Sequence, residues 1–366
     1  MVSNPRGWTT PRVDRAAYIA GFGSALPGGG LEQPDIWERC FARHFEGDRV
    51  AERIFLGAGV RRRHAAIDPT VEDISGWSTA DRMRRYVSEA LPLGKEAVDA
   101  ALADAGVAPD EVGMFAVVSC TGYATPGIDI RIAADLGMGP DVQRLLVGHM
   151  GCYAAIPGLG VVADYVVSRG RPAVALCLEL TSLHVQPPSA DRGQLVTHAL
   201  FGDAAAAVVL RPGDASGTGP GGLEVLDIAA LTDPTTADHM TWDITDLGFR
   251  MGLSPQVPAV LGRHVGGVVT GLLERNGLTV SKVDAWAVHP GGPKILSTVA
   301  EKLALPDGAL DASFGVLAQV GNCSSATLLL VLDALRSEDR PRPGRVAVAM
   351  AFGPGLTLYA ALLRMT

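Results

Sequence analysis

The chain is short of cysteine, and Cys40, Cys120, Cys152, Cys177 and Cys323 form no C-x-x-C pair. An odd number at such spacing argues against a disulfide framework and against a zinc site, and predicts reduced, mostly buried thiols. No apolar run reaches the roughly 18 residues of a membrane span. Residues 1–15 carry Pro, Arg and Asp in place of the apolar core of a secretory signal. A cytoplasmic protein with no membrane span is expected. An excess of positive charge is also missing: 31 Lys and Arg stand against 39 Asp and Glu, a formal net charge of -8. A broad nucleic-acid footprint is therefore not expected, whereas local basic clusters can still hold a phosphorylated small molecule.

What the chain does have is material for a large core: 48% of its 366 residues are hydrophobic, and its 44 glycines imply many tight turns. It also says nearly the same thing twice. An apolar, helix-like run opens at Gly148-His-Met-Gly-Cys152 and another at Gly321-Asn322-Cys-Ser-Ser. Each has an apolar strand ahead of it (113–119 and 283–288) and another behind it (173–178 and 346–351). The pattern predicts a duplicated α/β unit with layered sheets: a half of residues 1–212 carrying Cys152, and a half of residues 213–366 carrying His289 and Asn322. Clefts form between such halves. Further elements are predicted as a strand at 16–21, an amphipathic region at 36–55, a helix at 81–105 and another at 130–136. The glycine-rich stretch 211–222 reads as a surface link, because no strand–loop–helix unit surrounds its glycines to make a phosphate cradle.

Three residues can carry chemistry. Cys152 follows Gly151 at a helix N-terminus, where unpaired amides and the helix dipole favour a thiolate able to attack a thioester or ester; the alternative is a packed core thiol. His289 ends a strand just before Pro290-Gly-Gly-Pro, where a sheet presents side chains to a crevice; it can share a proton with a thiol or donate to an oxyanion, or serve as a structural residue. Asn322 can donate its amide to an oxyanion, or cap the following helix. Together they supply a nucleophile and two donors with neither a metal nor a carboxylate base, a set suited to acyl transfer to sulfur followed by stabilisation of an enolate.

The motifs Gly151-Cys152-Tyr-Ala, Ala199-Leu-Phe-Gly-Asp203, Ala287-Val-His289-Pro-Gly-Gly-Pro293, Gly321-Asn322-Cys-Ser-Ser-Ala-Thr327 and Gly353-Pro-Gly355 resemble, in order and spacing, those of type III polyketide synthases, the chalcone-synthase-like condensing enzymes of the thiolase fold. The resemblance implies a duplicated αβαβα architecture. It implies that Cys152 carries the acyl chain as a thioester, and that His289 and Asn322 hold the malonyl-CoA carbonyl, assist loss of carbon dioxide and stabilise the enolate. By the same resemblance Phe201 is a gatekeeping aromatic and Met251 stands at the second gate. Cys120, Thr181 and Trp242 belong to the cavity wall, with Trp242 shortening the space. Gly353 and Pro354 shape the cyclisation pocket, and Arg53, with less weight on Arg61, Arg62 and Arg63, meets the CoA phosphates. Substrates are acyl-CoA and malonyl-CoA, no cofactor is implied, and the assembly is a homodimer in which the Thr125-Pro126 loop reaches the partner's cavity.

Three other functions share parts of this pattern: a fatty-acid-initiating ketoacyl synthase fed by a carrier protein, a cysteine-dependent thioester hydrolase, and a non-catalytic acyl-CoA-binding protein. The Pro-Gly-Gly-Pro and Gly-Asn-Cys-Ser-Ser contexts favour the polyketide reading.

Overall fold

The computed structural model describes residues 15–366 except 46, 188, 190, 215–220 and 339–342. The segment 1–15 read for a signal, apart from Arg15, and the middle of the glycine-rich link thus lie outside the described residues.

Nine strands form one sheet. Their order is β11 (Ala285–Val288), β12 (Val346–Gly353), β13 (Thr357–Met365), β8 (Leu223–Thr232), β1 (Arg15–Ala25), β7 (Asp203–Asp214), β6 (Ala173–Leu180), β4 (Met114–Val118) and β5 (Gln143–Val147). β4 runs parallel to β5 and β6, and β11 parallel to β12, while β7 is antiparallel to both β6 and β1. The seam between the two parts is thin: β1 and β8 meet only at Tyr18–Glu224 and Ile19–Leu223. β4 is apolar and buried along its whole length, and β6 is buried throughout with Glu179 as its one charged residue, which follows from being covered on both faces.

Those covers make five layers. α5 (Ala155–Arg169) and α10 (Ala326–Glu338) are sandwiched in the middle, where Ala116, Ala175 and Val208 from one part of the sheet and Ala287, Ala349 and Leu363 from the other share one core with Leu328, Leu329 and Leu332. Each such leucine contributes roughly 2 kcal/mol through burial. The neighbouring residues of the same strands point the other way, as the period of two requires. Phe115, Val117 and Leu176 meet α3 (Thr79–Ala105) and α4 (Ile128–Leu136), and Trp286, Val288 and Met350 meet α7 (Val257–Glu274) and α8 (Pro293–Leu303). This αβαβα stack is the thiolase-like fold. Gly21 and Gly23 let β1 lie directly on α3: a Cβ at either would fall within 2.5 Å of a backbone oxygen, Ala101 O or Ala97 O.

Boundaries differ from the sequence reading in traceable ways. α3 starts two residues early because the Ser78 hydroxyl accepts from the Asp81 amide, and it stops where Gly106 turns left-handed at φ 61°. The 36–55 region is not one helix. It breaks into α1 (Gln33–Ile36), a π turn over Trp37–Phe41, a 3-10 turn over Ala42–His44, and α2 (Arg49–Leu56), whose N-terminus is capped by the Asp48 carboxylate. A short ribbon, β2 (Leu31–Glu32) with β3 (Arg62–Arg63), brackets this region. The antiparallel hairpin β9 (Met240–Thr245) and β10 (Gly248–Leu253) had no sequence expectation.

Candidate active site

Cys152, His289 and Asn322 arrive on three different elements and line one cavity of about 410 Å³. Cys152 sits in the turn just ahead of α5. Gly151 makes that turn at φ 79°, and a Cβ there would press within 2.9 Å of Pro354. A Cβ on Gly353 would collide with Tyr153 at 2.9 Å. The Gly353-Pro354 loop therefore packs directly on the cysteine turn, which is why both positions need small or rigid residues.

The surroundings oppose the thiolate expected from the helix N-terminus. Burial pushes the Cys152 thiol up to about 12, the Ser324 hydroxyl pulls it back, and the Glu179 carboxylate adds to the rise. His289 follows β11, its backbone N–H donating to Met350 O at 2.8 Å, with its ring edge-on to Phe352. Burial alone lowers it to about 3, and neither ring nitrogen has a hydrogen-bond partner among the described residues. Burial thus acts against charge on both groups, disfavouring the thiolate and the imidazolium alike. Asn322 does not cap α10, which starts at Ala326: its Oδ1 accepts from the Ser324 amide at 2.9 Å in a local turn, with Nδ2 left as a donor. Its backbone is fixed against the Phe201 segment, with Asn322 N donating to Leu200 O at 2.8 Å and Gly202 N donating to Asn322 O at 3.0 Å.

Two smaller spaces adjoin the cavity. A hollow of about 30 Å³ is lined by Cys152, Cys120, Thr181, Trp242, Ser324 and Pro354, among others. A chamber of about 60 Å³ lies beyond, against α6 (Arg192–Leu200) and the 64–69 segment. Phe201 and Met251 line all three spaces, while Trp242 and Thr181 line the two smaller ones. Trp242 is pinned: its Nε1–H donates to Cys120 O at 2.7 Å, and its ring meets His184 and Phe249 edge-on. The Thr181 hydroxyl is committed to Gly202 O and Asp203 Oδ1, at 2.9 and 3.0 Å, so it braces the Phe201 turn.

The structure separates the expected cations. Arg53 is exposed on α2 and does not line the cavity, though its neighbour Ile54 does. Arg63 is buried and spends its guanidinium on the carbonyls of His198 and Phe201, so it cannot meet a CoA phosphate. Arg62 faces Glu32 at 3.9 Å. The cations that line the cavity are Arg192 and Lys294, and Lys294 has no side-chain partner among the described residues. The sequence signal for Lys294 was its place directly after Pro290-Gly-Gly-Pro293. Glu179 was also missed. It is a lone acid in the apolar strand Ala173–Leu180, fully buried, and accepts from Cys120 N, Thr121 Oγ1 and Ser325 Oγ at 3.0, 2.8 and 2.6 Å. Burial raises its pKa, with Ser325 the strongest of the opposing donors.

The layered fold and a buried thiol sharing a cavity with an imidazole and a carboxamide define an acyl-transferring condensing enzyme of the thiolase-like class. The models of the chalcone and stilbene synthase N-terminal and C-terminal domains match residues 15–214 and 227–366. The chain belongs to that family, the type III polyketide synthases. It is 38% identical to a 1,3,6,8-tetrahydroxynaphthalene synthase of Streptomyces peucetius subsp. caesius, with 96% of this chain and 94% of the relative covered. It is 31% identical to the alpha-pyrone synthesis polyketide synthase-like Pks18 of Mycobacterium tuberculosis, over 94% of this chain and 90% of the relative. The crystal structure of the tetrahydroxynaphthalene synthase of Streptomyces coelicolor superposes with a TM-score of 0.88 at 26% identity, covering 95% of this chain and 99% of that one.

Proposed function

We propose that Cys152 carries the starter and the growing chain, and that His289 and Asn322 drive malonyl-CoA decarboxylation beside it. His289 takes the thiol proton as Cys152 Sγ attacks the acyl-CoA carbonyl, and hands it to the CoA sulfur as the old carbon–sulfur bond breaks and CoA leaves. The imidazole and Asn322 Nδ2 then donate to the thioester oxygen of malonyl-CoA. Its carboxylate departs as carbon dioxide, and the electron pair left behind becomes an enolate on that oxygen. The enolate carbon attacks the acyl carbonyl, and the Cys152–acyl bond breaks to return the sulfur for the next round. The observation that carries this reading is the shared cavity wall, with both His289 ring nitrogens unpartnered among the described residues and the Asn322 carbonyl oxygen already used by Ser324. The reaction calls for no cofactor beyond the CoA thioesters themselves.

Phe201 and Met251 serve as the gates and Trp242, Cys120, Thr181, Gly353 and Pro354 as the walls, giving a compact space that suits a short, carbonyl-rich intermediate closing to a pyrone, resorcinol or other aromatic. The chain works as two halves, 1–212 and 213–366, that meet at the thiol. It pairs as a homodimer through the edge strand β5, where Leu146 is 46% exposed. No helix among the described residues is long and apolar enough to cross a membrane. The five cysteines are all free, which suits a reducing cytoplasm where CoA thioesters are made.

The test is incubation with malonyl-CoA and short, long and aromatic acyl-CoAs, read by mass spectrometry of products and of the intact protein. An acyl adduct on Cys152 and new carbon–carbon bonds are expected, and both disappear in Cys152→Ala. Turnover of carrier-protein thioesters alone, or release of free acid with no new bond, overturns the reading.

A further inference from the structure

α6 ends without a left-handed residue: Phe201, which follows it, is extended at φ -80° and ψ 141°. A helix end of this kind leaves its last carbonyls to find donors elsewhere. Three segments distant in sequence supply them. Gln33 Nε2 donates to Ala199 O at 2.8 Å, Asn322 N donates to Leu200 O at 2.8 Å, and Arg63 Nη1 donates to both His198 O and Phe201 O. The Arg63 guanidinium lies over the Phe55 ring at 5.5 Å, and its hydrogen-bond partners among the described residues are those two carbonyls, with no carboxylate. A cation taken out of water without an ion-pair partner is costly. Here the negative end of the α6 dipole stands where a carboxylate would.

The same carbonyls seat the reaction centre. Phe201 and Asn322 pair as a parallel β-bridge, closed by Asn322 N on Leu200 O and by Gly202 N on Asn322 O at 3.0 Å. The fit is close: a Cβ on Gly202 would fall 2.4 Å from Val320 O, and one on Gly321 2.8 Å from Leu200 O. The 61–64 segment holds both sides of the bridge, with Arg61 N donating to Ala318 O and Asp203 N donating to His64 O, each at 2.9 Å. Thr181 Oγ1 takes Gly202 O at 2.9 Å. Every carbonyl from His198 to Gly202 is engaged, and Arg63 alone holds two of them.

We propose that Arg63 is a positioning residue for malonyl-CoA decarboxylation: by tying Phe201 O to the end of α6 it fixes the strand against which Asn322 rests, and so aims Asn322 Nδ2 at the thioester oxygen. The proposal rests on the polyketide reading and adds a residue that acts through Asn322. A misplacement of about 1 Å at a catalytic group costs up to about 100-fold in rate. Arg63 does not line the cavity that Cys152, His289 and Asn322 share, so its loss falls on the rate and leaves binding of the CoA arm alone.

The test measures decarboxylation alone, as acetyl-CoA released from malonyl-CoA by Cys152→Ala protein, where the enolate carbon takes a proton from water instead of attacking an acyl group. In that background Arg63→Gln is expected to lower kcat about ten-fold with KM for malonyl-CoA unchanged. Arg63→Lys, which returns a cation to the helix end, recovers most of the loss. Asn322→Ala lowers kcat about 100-fold by itself, and adding Arg63→Gln to it lowers kcat no further, because no donor is left to aim. A purely structural role would multiply the two losses. Thr181→Val loosens the same turn at Gly202 O and shows the same split at about three-fold, so the prediction is still read on a folded protein where Arg63→Gln does not fold. The same loss repeated in the Asn322→Ala background, a raised KM at unchanged kcat, or an unchanged kcat in folded Arg63→Gln or in Thr181→Val overturns the assignment. Failure of the polyketide reading shows separately, as the absence of any carbon–carbon bond formed from malonyl-CoA by the unmodified enzyme.

Discussion

Replacing Trp242 with alanine removes the partition between the 30 Å³ hollow at the thiol and the 60 Å³ chamber beyond it. The side chain is half-buried, donates one hydrogen bond to Cys120 O and packs on His184 and Phe249. Buried Trp→Ala changes cost about 3–5 kcal/mol, and partial exposure puts this one near the low end, at about 3 kcal/mol. At about 1.3 °C per kcal/mol for a chain of this size, the melting temperature should fall by about 4 °C. Trp242→Phe keeps most of the bulk and loses only the hydrogen bond, about 1 kcal/mol. Liquid chromatography with mass spectrometry after incubation with malonyl-CoA should then show products longer by at least one malonyl-derived unit from Trp242→Ala, and wild-type products from Trp242→Phe. The reasoning is refuted if Trp242→Ala folds, melts lower as calculated, and still returns the wild-type product lengths.

Lys294→Ala should raise KM for CoA thioesters about three- to ten-fold through loss of a charge-assisted contact, more than Arg53→Ala does; an equal effect on a thioester lacking the phosphates would contradict this. Leu146→Arg should convert a dimer to a monomer in light scattering, because β5 cannot then bury its edge, and an unchanged mass would remove β5 from the interface. Buried His184 and His289 are held down to about 4 and 3, so the unfolded chain binds protons below about pH 6.5 where the folded one does not, and stability falls as pH drops through that range. Each should cost about 1.4 kcal/mol at pH 5.5 relative to neutral pH. Glu179 and Asp203, whose pKa values are raised by burial, act in the opposite sense but equally in wild type and in His184→Gln. The variant should therefore lose about 1.4 kcal/mol less on going from pH 7.5 to 5.5 in denaturant titrations, and identical losses would place His184 outside the effect.

The repeated strand–helix–strand pattern around Cys152 and Asn322 was legible because α5 and α10 are largely apolar, as helices packed between sheets are. The turn glycines were equally readable: Gly151 and Gly321 both sit at positive φ. What the sequence hid depends on who faces whom. Arg63 reads as part of a basic run, yet β3 turns it inward while Arg62 stays outside. Asn322 reads as a cap or as an oxyanion donor, because a sequence does not show that its amide spends its oxygen on a turn ahead of α10 and keeps its nitrogen. The expected thiolate rested on the helix N-terminus alone; burial, which no local motif reports, outweighs it.

Because Cys152 stands ahead of α5 while His289 follows β11 and Asn322 precedes α10, the site is a proofreader of its own assembly. A chain stalled before residue 285 owns a sulfur with no imidazole or carboxamide opposite it, and so has nothing with which to squander activated acyl groups. Chemical competence switches on only when the last strands dock, making catalytic onset a report of completed folding.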